Sequence, residues 1–90
     1  MYRVDYTDVA REDIERLKRD DPKLLAKVRK LLLELMEHPR TGTGHPEQLK
    51  GNRTGQWSRR ITQKHRLIYT INDHEVVVLV LTAMGHYGDR

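Results

Sequence analysis

Residues 56–84, with the sequence QWSRRITQKHRLIYTINDHEVVVLVLTAM, alternate apolar and polar side chains as β-strands do. The alternation predicts three strands, which cover residues 56–62, 66–71 and 75–84. The third is apolar on both faces, a pattern typical of a strand inside a sheet. The turn residues Asn72 and Asp73 separate the last two strands. These features predict an antiparallel meander.

The register of the first two strands follows from their shared apolar face. They can share it only if the loop between them has an odd number of residues, and residues 63–65 make such a loop. This register places Arg60 opposite Ile68. Arg60 and Arg66 are then diagonal neighbours on one side of the sheet, within reach of a single bound anion.

The residues before the meander predict one short strand and two helices. Residues 2–6 alternate like a strand, which we expect at an edge of the sheet. Thr7 or Asp8 can cap a first helix, and an Asp-Pro pair at residues 21–22 is expected to begin a second one that runs to about residue 38. The second helix has a broad apolar face for packing on a sheet, formed by Leu24, Leu25, Val28, Leu31, Leu32, Leu35 and Met36. The predicted fold is α+β, in the order β-α-α-β-β-β.

The composition indicates one small domain without cysteine chemistry. The chain has 90 residues, a formal charge of +4 and no cysteine, and we expect a single domain over residues 1–90. A domain of this size buries only roughly 60 to 65% of the surface of its unfolded chain, so an active site should be shallow. The charged N-terminus does not resemble a signal peptide, and the longest apolar run, residues 76–81, is far too short to span a membrane. We therefore expect a cytoplasmic protein with no membrane partner.

Positive charge is concentrated in the middle of the chain. Residues 39–66 contain seven basic side chains and one acidic side chain, whereas residues 1–38 are balanced. Such a segment is expected to bind a polyanion, because neutralising phosphates releases counterions. A solvated basic loop is the alternative explanation.

Two residues near this basic segment could transfer protons. Glu47 is the single carboxylate between Glu37 and Asp73, and it could act as a proton acceptor or form a structural ion pair. His86 directly follows the third predicted strand and precedes Tyr87, so it could act as the matching acid. The sequence has no HExxH spacing, phosphate loop or serine-hydrolase motif, and we expect neither a metal site nor a cofactor.

Four motifs occur in a specific order: HPEQLK at residues 45–50, GQWSRRI at 55–61, HRLIY at 65–69 and GHY at 85–87. In sequence and spacing they resemble the YoeB/Txe family of bacterial toxins in the RelE superfamily. The resemblance implies a RelE-like domain, with two N-terminal helices on one face of a twisted, mainly antiparallel sheet of four to five strands. It also implies a ribosome-dependent messenger-RNA endonuclease that acts in the A site of the 70S ribosome. A YefM/Axe-like antitoxin would neutralise it, and a homodimer is compatible with the resemblance.

The resemblance also assigns roles to individual residues. It implies that Glu47 is the general base, His86 the general acid and Arg66 the residue that stabilises the charged phosphate. Further RNA- or ribosome-binding positions would be Lys50, Arg59, Arg60 and Tyr87. RNA cleavage without a metal needs a base for the 2′-hydroxyl, cations for the phosphate and an acid for the leaving 5′-oxygen, and it gives a 2′,3′-cyclic phosphate.

The chain departs from the family pattern at two places. Residues 88–90 follow the His-Tyr pair, where family members often end, and Gly85 stands where some relatives carry a bulkier side chain. Trp57 is expected in the core rather than as a stacking platform for a base. The alternative functions are a non-catalytic RNA-binding module or a ParE-like, gyrase-inhibiting toxin of related fold.

Overall fold

The computed structural model describes the backbone of residues 1–86 and the side chains of residues 1–85. Its elements are β1 (Arg3–Tyr6), α1 (Asp8–Asp20), α2 (Pro22–Glu37), β2 (Glu47–Gln48), β3 (Gln56–Arg60), β4 (His65–Asn72) and β5 (Val77–His86), with a 3-10 turn at Gly51–Arg53. The five strands form one sheet in the order β1-β5-β4-β3-β2, in which β1 is parallel to β5 and the other pairs are antiparallel. The predicted fold, with β1 at an edge and β5 inside the sheet, is confirmed; the two-residue strand β2 was not predicted.

Side-chain caps begin both helices. The Thr7 hydroxyl accepts a hydrogen bond from the backbone nitrogen of Ala10 and donates one to the carbonyl oxygen of Leu81 in β5. Thr7 rather than Asp8 is therefore the first cap, and it also ties the start of α1 to the sheet. Asp21 caps α2 through the backbone nitrogen of Leu24, as the Asp-Pro pair predicted. No helix in residues 1–86 is long and apolar enough to cross a membrane.

The core lies between the two helices and one face of the sheet. The helices bury Ala10, Leu17, Leu25, Val28, Leu31, Leu32 and Leu35, and the sheet side contributes Ile61, Leu67, Tyr69, Val78, Val80 and Ala83. Trp57 is half-buried against this cluster, which confirms its expected place in the core. We call the opposite sheet face, which bears Glu47, Ser58, Arg60, Arg66 and Ile68, the outer face.

The β3–β4 register differs from the predicted one. Arg60 lies opposite Arg66, not opposite Ile68, and the loop consists of residues 62–64. The reason is Thr62, whose hydroxyl accepts hydrogen bonds from the backbone nitrogens two and three residues later and so belongs to the turn. Because the loop still has three residues, the shift preserves the predicted faces.

The last strand begins later and ends later than predicted. The Asn72 side chain accepts a hydrogen bond from the backbone nitrogen of Glu75, and Val76 adopts a left-handed φ of 57°. These two features extend the turn, so β5 starts at Val77 rather than at residue 75. The strand continues through Gly85 to residue 86, which pairs with His65 of β4.

Candidate functional site

Three neighbouring strands contribute charged side chains to one pocket on the outer face. The pocket has a volume of about 190 Å³ and is lined by Gly44, His45, Glu47, Arg60 and Arg66. These carboxylate and guanidinium groups come from β2, β3 and β4, so strand pairing alone brings them together. The pocket therefore contains three of the predicted site residues: the proposed base Glu47 and the proposed phosphate-binding cations Arg60 and Arg66.

The two arginines of the pocket face each other across strands. Arg60 is exposed, whereas Arg66 is only 4% exposed and donates a hydrogen bond of 3.1 Å to the carbonyl oxygen of Thr62. Like charges directly opposite each other in a sheet are unfavourable. Their juxtaposition creates a positive site that suits an anion.

Glu47 is an exposed carboxylate beside this positive site. Its strand, β2, is only two residues long and pairs with Ser58 and Trp57 of β3. In the described part of the chain, no ion pair includes Glu47. The structural ion pair considered as an alternative role is therefore not formed with those residues, and the carboxylate is accessible to a ligand in the pocket.

His45 was not among the predicted site residues, although it lines the same pocket. Its backbone has a left-handed φ of 51°, an uncommon conformation for a residue other than glycine. The signal that could have identified it is its place two residues before Glu47 inside a basic segment. The structure thus adds an imidazole to the carboxylate and the two guanidinium groups.

Gly44 holds the loop before β2 against β3. It has a φ of 86°, and its carbonyl oxygen accepts a 2.6 Å hydrogen bond from the backbone nitrogen of Arg60. A Cβ at this position would lie 2.9 Å from the carbonyl oxygen of Arg60, closer than such atoms pack. Only glycine fits both the backbone conformation and the contact.

Arg59 does not lie where a residue that binds RNA is expected. Its side chain is fully buried on the core face, where Nη1 forms a 2.8 Å ion pair with Glu34 and Nε donates to the Tyr69 hydroxyl at 3.2 Å. The remaining donors bind carbonyl oxygens of the loop that follows α2, at His38, Thr41 and Thr43. The predicted contact of Arg59 with RNA or the ribosome is contradicted by this burial. Its guanidinium instead orders the loop that leads to the pocket.

The partners of Arg59 have shifted pKa values. Partial burial alone would raise the pKa of the Glu34 carboxyl, but hydrogen bonds from Thr43 and Arg59 and the charge of Arg59 together lower it. Burial raises the pKa of the Tyr69 hydroxyl, against the opposing effect of Arg59. That hydroxyl donates to the carbonyl oxygen of Pro39 at 2.7 Å, so the network ties α2, the loop, β3 and β4 together.

The remaining predicted site residues lie outside the pocket or outside the described residues. Lys50 is exposed just before the 3-10 turn and does not line the pocket. His86 ends β5 opposite His65, but its side chain is not among those described, and Tyr87 lies wholly outside the described residues. Within the described residues, no group of three or more His, Asp or Glu side chains could hold a metal ion.

The sequence of this chain is similar to those of one group of bacterial toxins. A family model described as "YoeB-like toxin of bacterial type II toxin-antitoxin system" matches residues 6–87. Toxin YoeB of Synechocystis sp. is 36% identical over 85 residues, which cover 94% of this chain and 96% of the relative. Toxin YoeB of Streptomyces coelicolor is 35% identical over 85 residues, which cover 94% of this chain and 99% of the relative.

Solved structures give the same result. A YoeB/ParE toxin from Agrobacterium tumefaciens superposes with a TM-score of 0.88 at 33% identity, covering 94% of this chain and 99% of that one. The toxin chain of a heterotetrameric YoeB-YefM complex from Staphylococcus aureus has a TM-score of 0.83 at 33% identity, over 97% of this chain and 99% of that one. A YoeB dimer from Staphylococcus aureus has a TM-score of 0.84 at 33% identity, over 96% and 98% of the two chains.

Proposed function

Because the chain belongs to the YoeB-like toxin family of bacterial type II toxin-antitoxin systems, we propose that it is an endoribonuclease that cleaves messenger RNA in the ribosomal A site. The observation that carries this proposal is the pocket in which Glu47, Arg60 and Arg66 meet on one sheet face. A carboxylate beside two guanidinium groups is suited to proton abstraction next to a phosphodiester.

The proposed cleavage is a metal-independent transfer within the RNA. The Glu47 carboxylate accepts the proton of a 2′-hydroxyl, and the 2′-oxygen attacks the adjacent phosphorus. Arg66 and Arg60 donate hydrogen bonds to the non-bridging oxygens, whose negative charge increases in the transition state. His86 protonates the 5′-oxygen as the bond between phosphorus and that oxygen breaks. The products are a 2′,3′-cyclic phosphate and a free 5′-hydroxyl.

The proposed partners follow from the basic face and from the relatives. Messenger RNA and the RNA of the 70S ribosome are polyanions that the arginines of the outer face can bind. A toxin that acts on the ribosome would work in the cytoplasm. The Staphylococcus aureus relatives were solved with YefM and as a dimer. A YefM-like antitoxin that places carboxylates near Arg60, Arg66 and His86 would neutralise the site, and the free toxin would form a homodimer.

A second candidate function is inhibition of DNA gyrase. One similar structure carries the name YoeB/ParE toxin, so the fold is compatible with that activity. A gyrase inhibitor or a simple RNA-binding module has no need of the Glu47 carboxylate as a base. It would therefore leave messengers uncut, and a gyrase inhibitor would block DNA supercoiling.

The decisive experiment is primer-extension mapping of a messenger in a reconstituted translation system, with and without ribosomes. We expect wild-type protein to cut at A-site codons only when ribosomes are present. Glu47→Gln and His86→Gln should each reduce cleavage by at least about 100-fold, because each removes a proton-transfer group. Glu37→Gln, which neutralises an exposed carboxylate at the end of α2, is the matched control and should cleave normally. Full cleavage by Glu47→Gln, or an uncut messenger together with blocked supercoiling, would overturn the proposal.

A further inference from the structure

A second cavity lies on the outer face next to the catalytic pocket. It has a volume of about 250 Å³ and is lined by Arg53, Gln56, Ile68, Leu81, Thr82 and Gly85. Its volume falls just below the range of about 300 to 1,000 Å³ that is usual for drug-sized ligands, so it suits a smaller group. The lining combines apolar side chains with a guanidinium, an amide and a hydroxyl, which are groups that can contact both the face and the edge of a planar heterocycle.

A bulge in β5 turns Thr82 into this cavity. Val78 and Val80 are buried in the core, so strict alternation would point Thr82 there as well. Instead, the pairing with β4 shifts between Ile68 and Tyr69: Val80 is opposite Tyr69, but Thr82 is opposite Ile68. The pairing shifts again between Arg66 and Ile68, and Ala83 takes the core position. Bulges of this kind redirect side chains and are common beside active sites.

The bulge is held by a side chain from α1. Asp13 is only 8% exposed, and its Oδ2 accepts a 3.1 Å hydrogen bond from the backbone nitrogen of Ala83. A buried carboxylate is costly unless it is well bonded. This hydrogen bond stabilises the irregular backbone that places the Thr82 side chain on the outer face.

The Thr82 hydroxyl is buried without a protein partner. Among the side chains that the structure describes, its Oγ1 is the buried polar atom for which no hydrogen bond is formed. An unsatisfied buried hydroxyl lowers stability, and valine would occupy the same space without that cost. A ligand that supplies the missing hydrogen bond would explain why a hydroxyl is placed there.

Gly85 keeps the cavity open. A Cβ at this position would lie 2.7 Å from Thr82 Oγ1 and 3.0 Å from Ile68 Cγ1. Any larger residue would therefore press on the hydroxyl and on the apolar wall. Glycine at this position leaves the space beside the Thr82 hydroxyl free of side-chain atoms.

The spacing between the two cavities matches the dimensions of a nucleotide. Arg66 lines the catalytic pocket, and Ile68, two residues further along the same face of β4, lines the second cavity. Two residues of a strand span about 7 Å. We infer that the second cavity binds an unpaired nucleobase of the messenger, next to the phosphate held by Arg60 and Arg66, and thereby sets the base preference of cleavage. This inference rests on the proposed function.

The test is the codon profile of cleavage, measured on a messenger library with all A-site codons in the reconstituted translation system. Thr82→Val removes the hydroxyl but keeps the shape. We expect it to change the ratio of cleavage between preferred and disfavoured bases by about tenfold, as the loss of one hydrogen bond predicts. Its melting temperature should equal or exceed that of the wild type. Thr82→Ser should restore the profile, and Thr70→Val, a half-buried position of the outer face outside the cavity, is the matched control.

A binding measurement separates failure of this inference from failure of the proposed function. A 2′-O-methylated dinucleotide is titrated into the wild-type protein and into Thr82→Val, and backbone amide shifts are followed by NMR. Saturable shifts at Leu81, Thr82 and Gly85 that are lost in Thr82→Val would support the base site even if the messenger were not cleaved. A wild-type codon profile in Thr82→Val, or dinucleotide shifts confined to the catalytic pocket, would overturn the inference while leaving the nuclease proposal standing.

Discussion

Arg60 and Arg66 lie directly opposite each other across the β3–β4 pair, on the sheet face turned away from the helices. This arrangement brings two positive charges together at a cost in stability. The backbone keeps them there, because Arg60 is bonded through its nitrogen to Gly44 and Arg66 through its guanidinium to Thr62. The fold therefore holds two cations side by side, as the proposed binding of an RNA phosphate requires.

The charge repulsion predicts opposite effects of one substitution on stability and activity. Arg60→Gln should raise the free energy of unfolding by about 0.5 kcal/mol, because it removes a like-charge pair. It should reduce messenger cleavage by about 100-fold, because a donor to the phosphate is lost. Lys64→Gln removes the same charge from the neighbouring turn, outside the pocket, and should change neither quantity. Urea denaturation and primer extension measure the two effects; a clear loss of stability in Arg60→Gln would contradict the repulsion.

Gly44, in the loop before β2, is required both for its positive φ and for its close contact with Arg60. Gly55 has a positive φ without such a contact, so comparing the two positions separates the two effects. Gly44→Ala and Gly55→Ala both place a side chain at positive φ, at 86° and 95°. A Cβ at Gly55 meets nothing within 4 Å, so this variant should lose only about 1 to 2 kcal/mol from backbone strain. Gly44→Ala adds the clash with Arg60 and should lose about 1 to 3 kcal/mol more. Thermal unfolding measures the difference, and equal losses would rule out the close contact.

Arg59 is predicted to support the pocket from inside the core. Arg59→Met removes the cation that binds Glu34 and three loop carbonyl groups, and it should cost about 3 to 5 kcal/mol of unfolding free energy. Arg59→Lys should fail to restore it, because an ammonium lacks the planar fork of donors. Lys30→Met, an exposed position of α2, is the control for loss of charge. Chemical denaturation tests this, and a stable Arg59→Met variant would contradict the supporting role.

The lowered pKa of Glu34 predicts acid sensitivity. Its ordinary pKa is 4.5, and partial burial would raise it, but the hydrogen bonds of Thr43 and Arg59 lower it in the folded protein. The unfolded chain therefore binds the proton more readily. The stability that Glu34 contributes is complete well above pH 4.5 and is lost as the pH falls through the folded-state pKa.

Comparison with Glu34→Gln isolates this contribution from those of other carboxyl groups. Asp73 also has a lowered pKa, through its hydrogen bonds with Arg40 and Tyr2. Because Asp73 is present in both proteins, its effect cancels in the difference between them. We expect the difference in unfolding free energy between wild type and Glu34→Gln to shrink as the pH falls below about 4.5. Denaturation between pH 3 and pH 7, roughly the range over which carboxyl groups titrate, measures it. A difference that stays constant with pH would contradict the predicted role of the carboxylate.

Local sequence patterns determined where the helices and strands lie and which of their faces are buried. The Asp-Pro pair begins α2 as predicted, and the leucines that follow it form the core side of that helix. Alternation of side chains placed Arg60 and Arg66 on one side of the sheet even though the register was two residues off, because such a shift preserves the face. The same alternation placed Arg59 on the core side with Trp57. The RNA-binding role that the family resemblance implied for Arg59 conflicted with this placement, and the partner that explains it, Glu34, lies 25 residues away in the sequence.

Tertiary structure alone decided the partners of the buried charges and the shape of the outer face. The bulge that turns Thr82 to the outer face depends on Asp13 of α1. The β3–β4 register, by contrast, follows from local hydrogen bonds of the Thr62 hydroxyl in the turn. His45 lines the pocket beside Gly44, whose carbonyl oxygen is bonded to Arg60 of β3. The periodicity of apolar residues indicates which side of a helix or strand is apolar, because that property depends on neighbouring residues alone. A hydrogen bond between residues far apart in the sequence depends on how the helices and strands pack, and no local sequence pattern encodes that packing.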